Sequence, residues 1–264
     1  MVLILTRGGD FIMSETYVSN APQTLDGWYV LHDFRTIDWA AWKAQTPADR
    51  TAAVMEFETL YGQFDAVNAN RSGSFGTFAM VGGKADLLFL HMAPTVEELV
   101  AQKTKFNKTR LADFTRVPYS YFSIVELGSY LARGKDPEVD EYVQSRLKPE
   151  VPNMKHVCFY PMNKKRDSAD NWYTLPSTER TDYLRNHGMI GRQYAGVVKQ
   201  IISGSTGLDD WEWGVTLFSD DALQFKKLVA EMRFEEGSAR FGDFGPFYVG
   251  YRLLLKDALD LMQV

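Results

Sequence analysis

The same order of predicted elements occurs twice along the chain, and this repeat constrains the fold more than any other feature. Runs rich in aromatic and β-branched residues predict strands, whereas apolar residues three and four apart predict helices. Both halves give the order β-α-β-β-α-β, the second starting about 130 residues after the first. That order is typical of a ferredoxin-like module, so the sequence predicts an α+β fold built from two tandem modules.

The first half carries clear helix-start signals between its strands. Thr46 followed by Pro47 predicts an N-cap and a first helical residue. Thr95 and Glu98 form a capping box that opens a helix to about Thr109. The predicted strands are Asp26–Phe34, Phe75–Val81, Asp86–Met92 and Tyr119–Leu127.

The second half shows the same alternation of strands and helices. One helix is predicted at Ser177–Tyr194, and a second, capped by Ser219-Asp220-Asp221, runs to about Phe234. The small-residue segment that follows, up to Gly242, is predicted to be a turn. The predicted strands are His156–Asn163, Val198–Ser205, Glu212–Phe218 and Phe247–Leu255.

The two modules are expected to share one core. Each sheet has one face covered by helices and one bare face, and the bare faces must be buried, most simply against each other. The prediction is therefore a dimeric α+β barrel formed by two modules of one chain. A short helix is expected near Glu138–Arg146 within the connector. The predicted division is a loose leader over 1–22, an N-terminal module over 23–127, a connector over 128–154 and a C-terminal module over 155–264.

Charge and residue counts exclude several functions. The formal net charge of -5 argues against non-specific nucleic-acid binding, which needs a basic face. One cysteine excludes an intrachain disulfide and a multi-cysteine metal site, so metal chemistry must use histidine, carboxylate or a bound cofactor. Neither a secretory signal nor an apolar run of about 18–20 residues is present, so we expect a cytoplasmic protein with no membrane partner.

His187 is the histidine whose position most suggests chemistry. It lies near the end of a predicted helix, on the same face as Tyr183. Its spacing alone favours a hydrogen-bonded core histidine. The alternative is a lone metal ligand, which holds a bare ion poorly but can complete a macrocycle such as haem.

A second candidate group lies at the end of the strand that begins at His156. Tyr160, Met162 and Lys164 alternate onto one face of this strand. A tyrosine and a lysine that point the same way suit acid–base or radical chemistry. The pattern alone, however, favours an edge strand with solvated lysines.

Arg146 and Ser238 are weaker candidates, and Cys158 is predicted to be structural. Arg146 suits an anionic ligand, and Ser238 could hold a polar group of a ligand. For both residues the pattern alone favours the simpler interpretation, a surface arginine and an ordinary loop. Cys158 lies between apolar residues with nothing nearby to activate it, which predicts a buried, inert thiol.

Taken together, these stretches resemble a known family. Tandem ferredoxin-like halves resemble the chlorite dismutase-like superfamily. Within it, YPMNKKR from Tyr160, YLRNHGMIGRQYAG from Tyr183, and Gln200 in VVKQIISGSTG resemble the coproheme decarboxylases of Gram-positive bacteria. The resemblance extends from about Ala21 to the C-terminus.

The resemblance implies an enzyme of haem biosynthesis whose C-terminal module binds haem or coproheme. Its substrate, iron coproporphyrin III (coproheme), is also the redox cofactor. Hydrogen peroxide drives the oxidative decarboxylation of two propionates to vinyl groups, which gives haem b through harderoheme. The resemblance also implies a homopentamer and a possible transient contact with ferrochelatase.

The family's residue roles map onto this sequence position by position. His187 matches the iron ligand, Tyr160 the tyrosine that becomes a radical, and Lys164 a lysine near the reacting propionates. Gln200 matches a distal position at which true chlorite dismutases carry arginine. The positions that help to seat the propionates are Arg146, Met162 and Ser238.

Other functions remain open at this point. A haem-binding or haem-transfer protein without turnover would need His187 but not Tyr160. A chlorite dismutase or peroxidase of the same fold is disfavoured by the neutral Gln200. A cofactor-free monooxygenase with ferredoxin-like halves leaves His187 without a role.

Overall fold

The computed structural model describes residues 21–128, 136 and 138–263. The predicted leader, 1–22, lies outside the described residues except for its last two. Residues 129–135 and 137 of the predicted connector also lie outside them.

Strands and helices follow the predicted alternation, with strand ends shifted by a few residues. The strands are β1 (Thr24–Ile37), β2 (Ser74–Val81), β3 (Leu87–Ala93), β4 (Thr115–Gly128), β5 (His156–Lys164), β6 (Lys199–Gly204), β7 (Trp213–Ser219), β8 (Gly242–Phe244) and β9 (Tyr248–Arg252). The helices are α1 (Trp39–Lys43), α2 (Pro47–Asn70), α3 (Val96–Asn107), α4 (Glu141–Leu147), α5 (Ser177–Gln193), α6 (Leu223–Met232), α7 (Glu236–Phe241) and α8 (Leu255–Met262). Short 3-10 helices occur at Arg110–Phe114 and Trp172–Thr174.

The strands form one antiparallel sheet that closes on itself. The first half pairs in the order β4-β1-β3-β2 and the second in the order β9-β5-β7-β6, which is the same ferredoxin-like order twice. β2 pairs with β9 and β4 pairs with β6, so the two halves are joined at both edges. β8 extends the far end of β5. The predicted α+β fold is confirmed.

Aromatic side chains from both halves fill the inside of the ring. Phe34 and Phe78 come from the first half, Phe159 and Phe218 from the second, and all four are almost fully buried. The Phe34 ring lies 5.7 Å from the Phe159 ring, across the boundary between the halves. The core therefore belongs to both modules, and neither sheet could bury this face alone.

Helices cover the outside of the sheet unequally. In the first half, α2 buries Phe57 and Phe64 against the sheet, and α3 buries Phe106. In the second half, α6 buries Phe225 and Leu228. No helix in the described part of the chain is both long and apolar enough to cross a membrane.

Several elements differ from the prediction. The segment from Phe234 to Gly242, predicted to be a turn, contains helix α7, because the Glu235 carboxylate caps its first backbone N–H groups. The last strand ends at Arg252 rather than at Leu255, where α8 begins instead. The helix predicted to reach Phe234 ends two residues earlier. Neither α1 nor α8 was predicted. Helix α8 completes the apolar cluster under α2. The Trp42 indole of α1 donates a hydrogen bond to the Met262 carbonyl of α8.

Two histidines lie buried in strands, one on each side of the sheet. The His32 Nε2 atom hydrogen-bonds the Thr216 hydroxyl inside the ring at 2.8 Å. His91 lies under α2, with the rings of Phe64 and Phe75 each 4.9 Å away. Burial lowers the pKa of both histidines to about 3. Both are therefore neutral wherever the fold is stable.

Acid should destabilise the fold through these histidines. An unfolded histidine binds a proton below about pH 6.5, whereas the folded ones stay neutral down to about pH 3. Stability is thus complete above pH 6.5 and falls as the pH decreases. We expect His91→Phe to reduce the loss of unfolding free energy between pH 7 and pH 5 by about 2 kcal/mol, measured by urea denaturation. Phe64→Leu, which loosens the same packing without removing a titrating group, should lower stability equally at both pH values; an unchanged pH slope in His91→Phe would contradict the assignment.

Candidate functional site

Helix α5 occupies the place in the second module that α2 occupies in the first, but it does not cover its sheet. α2 buries four side chains, whereas α5, with 17 residues, buries none. Its apolar side chains stay open: Leu184 is 47% exposed and Met189 is 50% exposed. Exposed apolar side chains on such a helix mark a surface that a ligand or a partner can cover.

Polar contacts anchor α5 near both ends to neighbouring helices. At its C-terminal end the Tyr194 hydroxyl donates to Glu231 of α6 at 2.8 Å. Nearer its N-terminal end, Arg240 of α7 donates to the Tyr183 hydroxyl at 2.8 Å and to Asp170 at 3.0 Å. Its main packing partners are α7 and α6 rather than strands. The helix is therefore held in place without being sealed onto the sheet.

The His187 ring faces α7 through one nitrogen. Its Nδ1 atom lies 3.2 Å from the Ser238 Oγ atom and 3.6 Å from the Glu235 Oε2 atom. The Nε2 atom has no hydrogen-bond partner within the described part of the chain, and the side chain is 45% exposed. Partial burial and the positive charge of Lys164 lower the pKa of His187, and Glu235 opposes them. A neutral imidazole bonded through Nδ1 offers the Nε2 lone pair to a metal.

Glu235 is a functional residue that the sequence reasoning missed. Its carboxylate is buried and accepts hydrogen bonds from the backbone N–H groups of Gly237 at 2.8 Å and Ser238 at 2.9 Å. It therefore starts α7 and fixes Ser238 beside His187. The signal was present as an acidic residue ahead of a short polar run, but a capping residue of this kind is recognised only once the helix itself is predicted.

Tyr160 and Met162 lie on the outer face of β5, the face of the second module that α5 does not cover. Tyr160 is buried and stacks on Phe247 at a centroid distance of 4.5 Å. Burial raises the pKa of the Tyr160 hydroxyl, so the phenol keeps its proton at neutral pH. Phe159 of β5 belongs to the core inside the ring, whereas Tyr160 and Met162 belong to the cluster on the outer face, which agrees with the predicted shared face of these two residues. Lys164, two residues beyond Met162, falls on the same face by strand alternation.

Lys164 lies where β5 ends, near the histidine. Its Nζ atom sits 4.6 Å from the centroid of the Trp172 ring. Burial lowers the pKa of Lys164, while the negative charge of Glu235 raises it. The Glu235 carboxylate raises the pKa of both Lys164 and His187, and the Lys164 charge lowers that of His187, so the three residues form one electrostatic cluster.

The sequence model described as "Chlorite dismutase" matches residues 50–253 of this protein. The chain belongs to the chlorite dismutase family. The match includes all the site residues considered above.

Solved structures share the chain's fold. A heme-binding protein from Thermus thermophilus is 46% identical, with a TM-score of 0.88, over 94% of this chain and 100% of that one. A chlorite dismutase variant from Candidatus Nitrospira defluvii is 20% identical, with a TM-score of 0.73, over 90% and 96%. The chlorite dismutase of that organism in complex with imidazole is 20% identical, with a TM-score of 0.71, over 90% and 95%. At 20% identity the latter two show the fold alone.

In this chlorite dismutase family member, the predicted site residues other than Arg146 fall into three groups. Ser238, predicted to help seat a propionate, contacts His187, and Lys164 lies in the same electrostatic cluster. Gln200 is exposed on β6 opposite Leu217. Tyr160 and Met162 lie on the outer face of the same sheet.

Arg146 stands apart from the other predicted residues. It is exposed on α4, which packs on β1 and β4 through Val143 and Leu147. The described contacts do not join it to the remaining site residues. Cys158 is buried as predicted, and burial raises the pKa of its thiol to about 12.

Because α5 lacks buried side chains, its order should depend on its polar anchors. We expect Arg240→Met, which removes the contacts to Tyr183 and Asp170, to speed amide hydrogen exchange in α5 by about tenfold while leaving α2 unchanged. The measurement is hydrogen–deuterium exchange with mass spectrometry. Arg185→Met is the matched control, since the one ion pair of Arg185 among the described residues is an exposed contact with Asp182 in the same helix. Equal exchange in both variants would show that the anchors do not hold α5.

Proposed function

We propose that this protein binds an iron porphyrin between α5 and the outer face of the sheet in the second module, where His187 Nε2 would bind the iron. The observation that carries the proposal is the uncovered helix, which presents a histidine whose pKa is lowered and whose Nδ1 atom is already engaged. A metal-bound histidine typically has its second ring nitrogen bonded to a carboxylate or a similar partner. Glu235 and Ser238 provide such partners here.

The facing sheet suits a flat, largely apolar ligand. Side chains on its outer face form cross-strand rows, and one row contains Ile202, Val215 and Tyr160. Ile202 is 41% exposed although its row is apolar, and Gln200 lies two residues away on the same face. A macrocycle lying beside this row would bury the exposed Ile202 side chain, whereas Val215 and Tyr160 are already buried in the cluster that α6 completes.

The substrate that best fits the site is iron coproporphyrin III, with haem b as the product. The support is the placement of Tyr160 and Lys164 on one strand face, together with the resemblance of their sequence to coproheme decarboxylases. Each propionate would react with one hydrogen peroxide and one proton to give a vinyl group, one carbon dioxide and two waters. The 46% identical relative from Thermus thermophilus is itself described as heme-binding, which agrees with porphyrin binding but leaves the reaction open.

The chain's own residues would divide the work as follows. When bound, the iron porphyrin and peroxide supply the oxidising equivalents. Tyr160, held as a neutral phenol by burial, would give up an electron and its proton, and the resulting radical would remove hydrogen from the propionate β-carbon. Lys164 would hold the carboxylate with a charge-assisted hydrogen bond. Gln200, exposed on the outer face of β6, would present a neutral side chain to the bound porphyrin.

Two other functions use the same fold. A haem-binding or haem-transfer protein would need His187 and the open face but not the Tyr160–Lys164 pair. A chlorite dismutase or peroxidase would act on the same bound iron, and the neutral Gln200 disfavours an anionic oxychlorine ligand. A cytoplasmic homopentamer that meets ferrochelatase transiently is part of the same proposal.

Tyr160→Phe should bind iron coproporphyrin III almost normally and make little haem b, because phenylalanine keeps the stacking on Phe247 but cannot yield a hydrogen atom. The measurement is mass spectrometry of the porphyrin during a peroxide titration, in which the unaltered protein should lose two carboxyl groups stepwise. Tyr251→Phe, at an exposed tyrosine on β9, should convert normally. Full conversion by Tyr160→Phe would refute the radical role, and consumption of chlorite without decarboxylation would favour the rival enzyme.

His187→Ala should change the absorption spectrum of the bound iron porphyrin and weaken binding by at least about tenfold, since one metal–ligand bond is lost. Absorbance titration measures both effects. His156→Ala, at the start of β5, serves as the control and should leave spectrum and affinity unchanged. An unaltered spectrum in His187→Ala would place the iron ligand elsewhere.

A further inference from the structure

The backbone pairing of β5 with β7 ends before it reaches Lys164, and side chains accept the next hydrogen bonds between the two strands. The last ladder pair is Met162 with Trp213. At the next position the Glu212 N–H donates to Asn163 Oδ1 at 2.8 Å, and the Lys164 N–H donates to Glu212 Oε2 at 3.0 Å. The Glu212 carboxylate therefore holds the β7 side of the end of β5, whose other side pairs with β8.

The same carboxylate also reaches the turn that supports the Lys164 side chain. Glu212 is only 8% exposed. It lies 3.9 Å from the Arg166 guanidinium, and it interacts with the Tyr173 hydroxyl, whose pKa burial and this neighbour raise. Trp172, beside Tyr173, carries the Lys164 ammonium over its ring. One buried acceptor thus joins the backbone of Lys164 to the turn on which its side chain rests.

We propose that Glu212 is a positioning residue for Lys164. Its carboxylate fixes the backbone of Lys164 at the end of β5, and it also fixes the turn that lies beneath the Lys164 ammonium group. The inference rests on the proposed function, in which Lys164 holds a porphyrin carboxylate. Without the acceptor, the Lys164 N–H loses its partner and the strand end is held by β8 on one side alone, so a long flexible side chain no longer points to one place.

The test compares two porphyrins with different numbers of carboxylates on the full chain. Dissociation constants for iron coproporphyrin III, with four carboxylates, and haem b, with two, are measured by absorbance titration. Lys164→Met should weaken the tetracarboxylate about tenfold and haem b much less. Glu212→Ala should do the same, and combining it with Lys164→Met should add nothing. Glu212→Gln keeps an acceptor oxygen and should restore nearly normal affinity.

A matched control separates positioning from general stability. Asp86 accepts a hydrogen bond from the Ile37 N–H at 2.7 Å in the first module, far along the chain from the site residues. Asp86→Ala should lower the melting temperature yet leave the ratio of the two dissociation constants unchanged. Equal weakening of both porphyrins by Glu212→Ala, additive losses in the double variant, or failure of Glu212→Gln to restore affinity would each overturn the proposal. If Glu212→Ala does not fold, Glu212→Asp, whose shorter side chain cannot keep the same reach, takes its place.

The outcome also distinguishes this inference from the proposed function. If the unaltered protein prefers and converts iron coproporphyrin III but the variants disagree, only the role of Glu212 is wrong. If it binds neither porphyrin, the proposed function is wrong, and Glu212 is judged on Trp172 fluorescence. Subtracting the emission of the matching Trp172→Phe protein isolates the Trp172 emission of each variant. That emission must differ from the unaltered protein's in Glu212→Ala and must match it in Glu212→Gln; any other pattern overturns the positioning role.

Discussion

The mutual burial of two sheet faces determines the rest of this structure. Phe34 and Phe78 from one module meet Phe159 and Phe218 from the other inside a closed ring, so each sheet has only its outer face left to cover. In the first module α2 and α3 cover that face with aromatic side chains. In the second, α6 covers part of it and α5 does not. The open surface is thus a consequence of which helix each repeat places on its sheet.

An uncovered helix must gain its order from something other than apolar packing. In α5 that role falls to hydrogen bonds near its ends, from Tyr194 to Glu231 and from Arg240 to Tyr183. These contacts are directional, so they fix the helix in one orientation while its apolar side chains stay available. The position of His187 follows from this arrangement, because α7 supplies both the anchor at Arg240 and the Ser238 hydroxyl beside the histidine ring.

Local signals made the repeated elements predictable, whereas the site depended on contacts between distant segments. The Thr46 and Thr95 side chains do accept the hydrogen bonds from Asp49 and Glu98 that their sequence context predicts, since a cap involves only neighbouring residues. By contrast, the partnership of Glu235 with His187 joins α7 to α5, and no spacing rule reports it. The single outer face of Tyr160 and Lys164 was predictable because strand alternation is local, but the support of Lys164 by Glu212 was not, because it begins where the ladder ends.

The same partial burial acts on three different acids and bases at this site. It raises the pKa of the Tyr160 hydroxyl and lowers those of Lys164 and His187, so each neutral form is favoured. For a chain with a net charge of -5, this means that attraction for an anion does not come from the overall field. It comes instead from the ammonium group of Lys164, whose charged form Glu235 stabilises in a poorly solvated place, where an ion pair is stronger than on the surface. An anionic group that binds beside Lys164 would therefore stabilise the ammonium form that attracts it. His187 has no carboxylate on its Nε2 side among the described residues, so it would remain neutral and able to bind a metal.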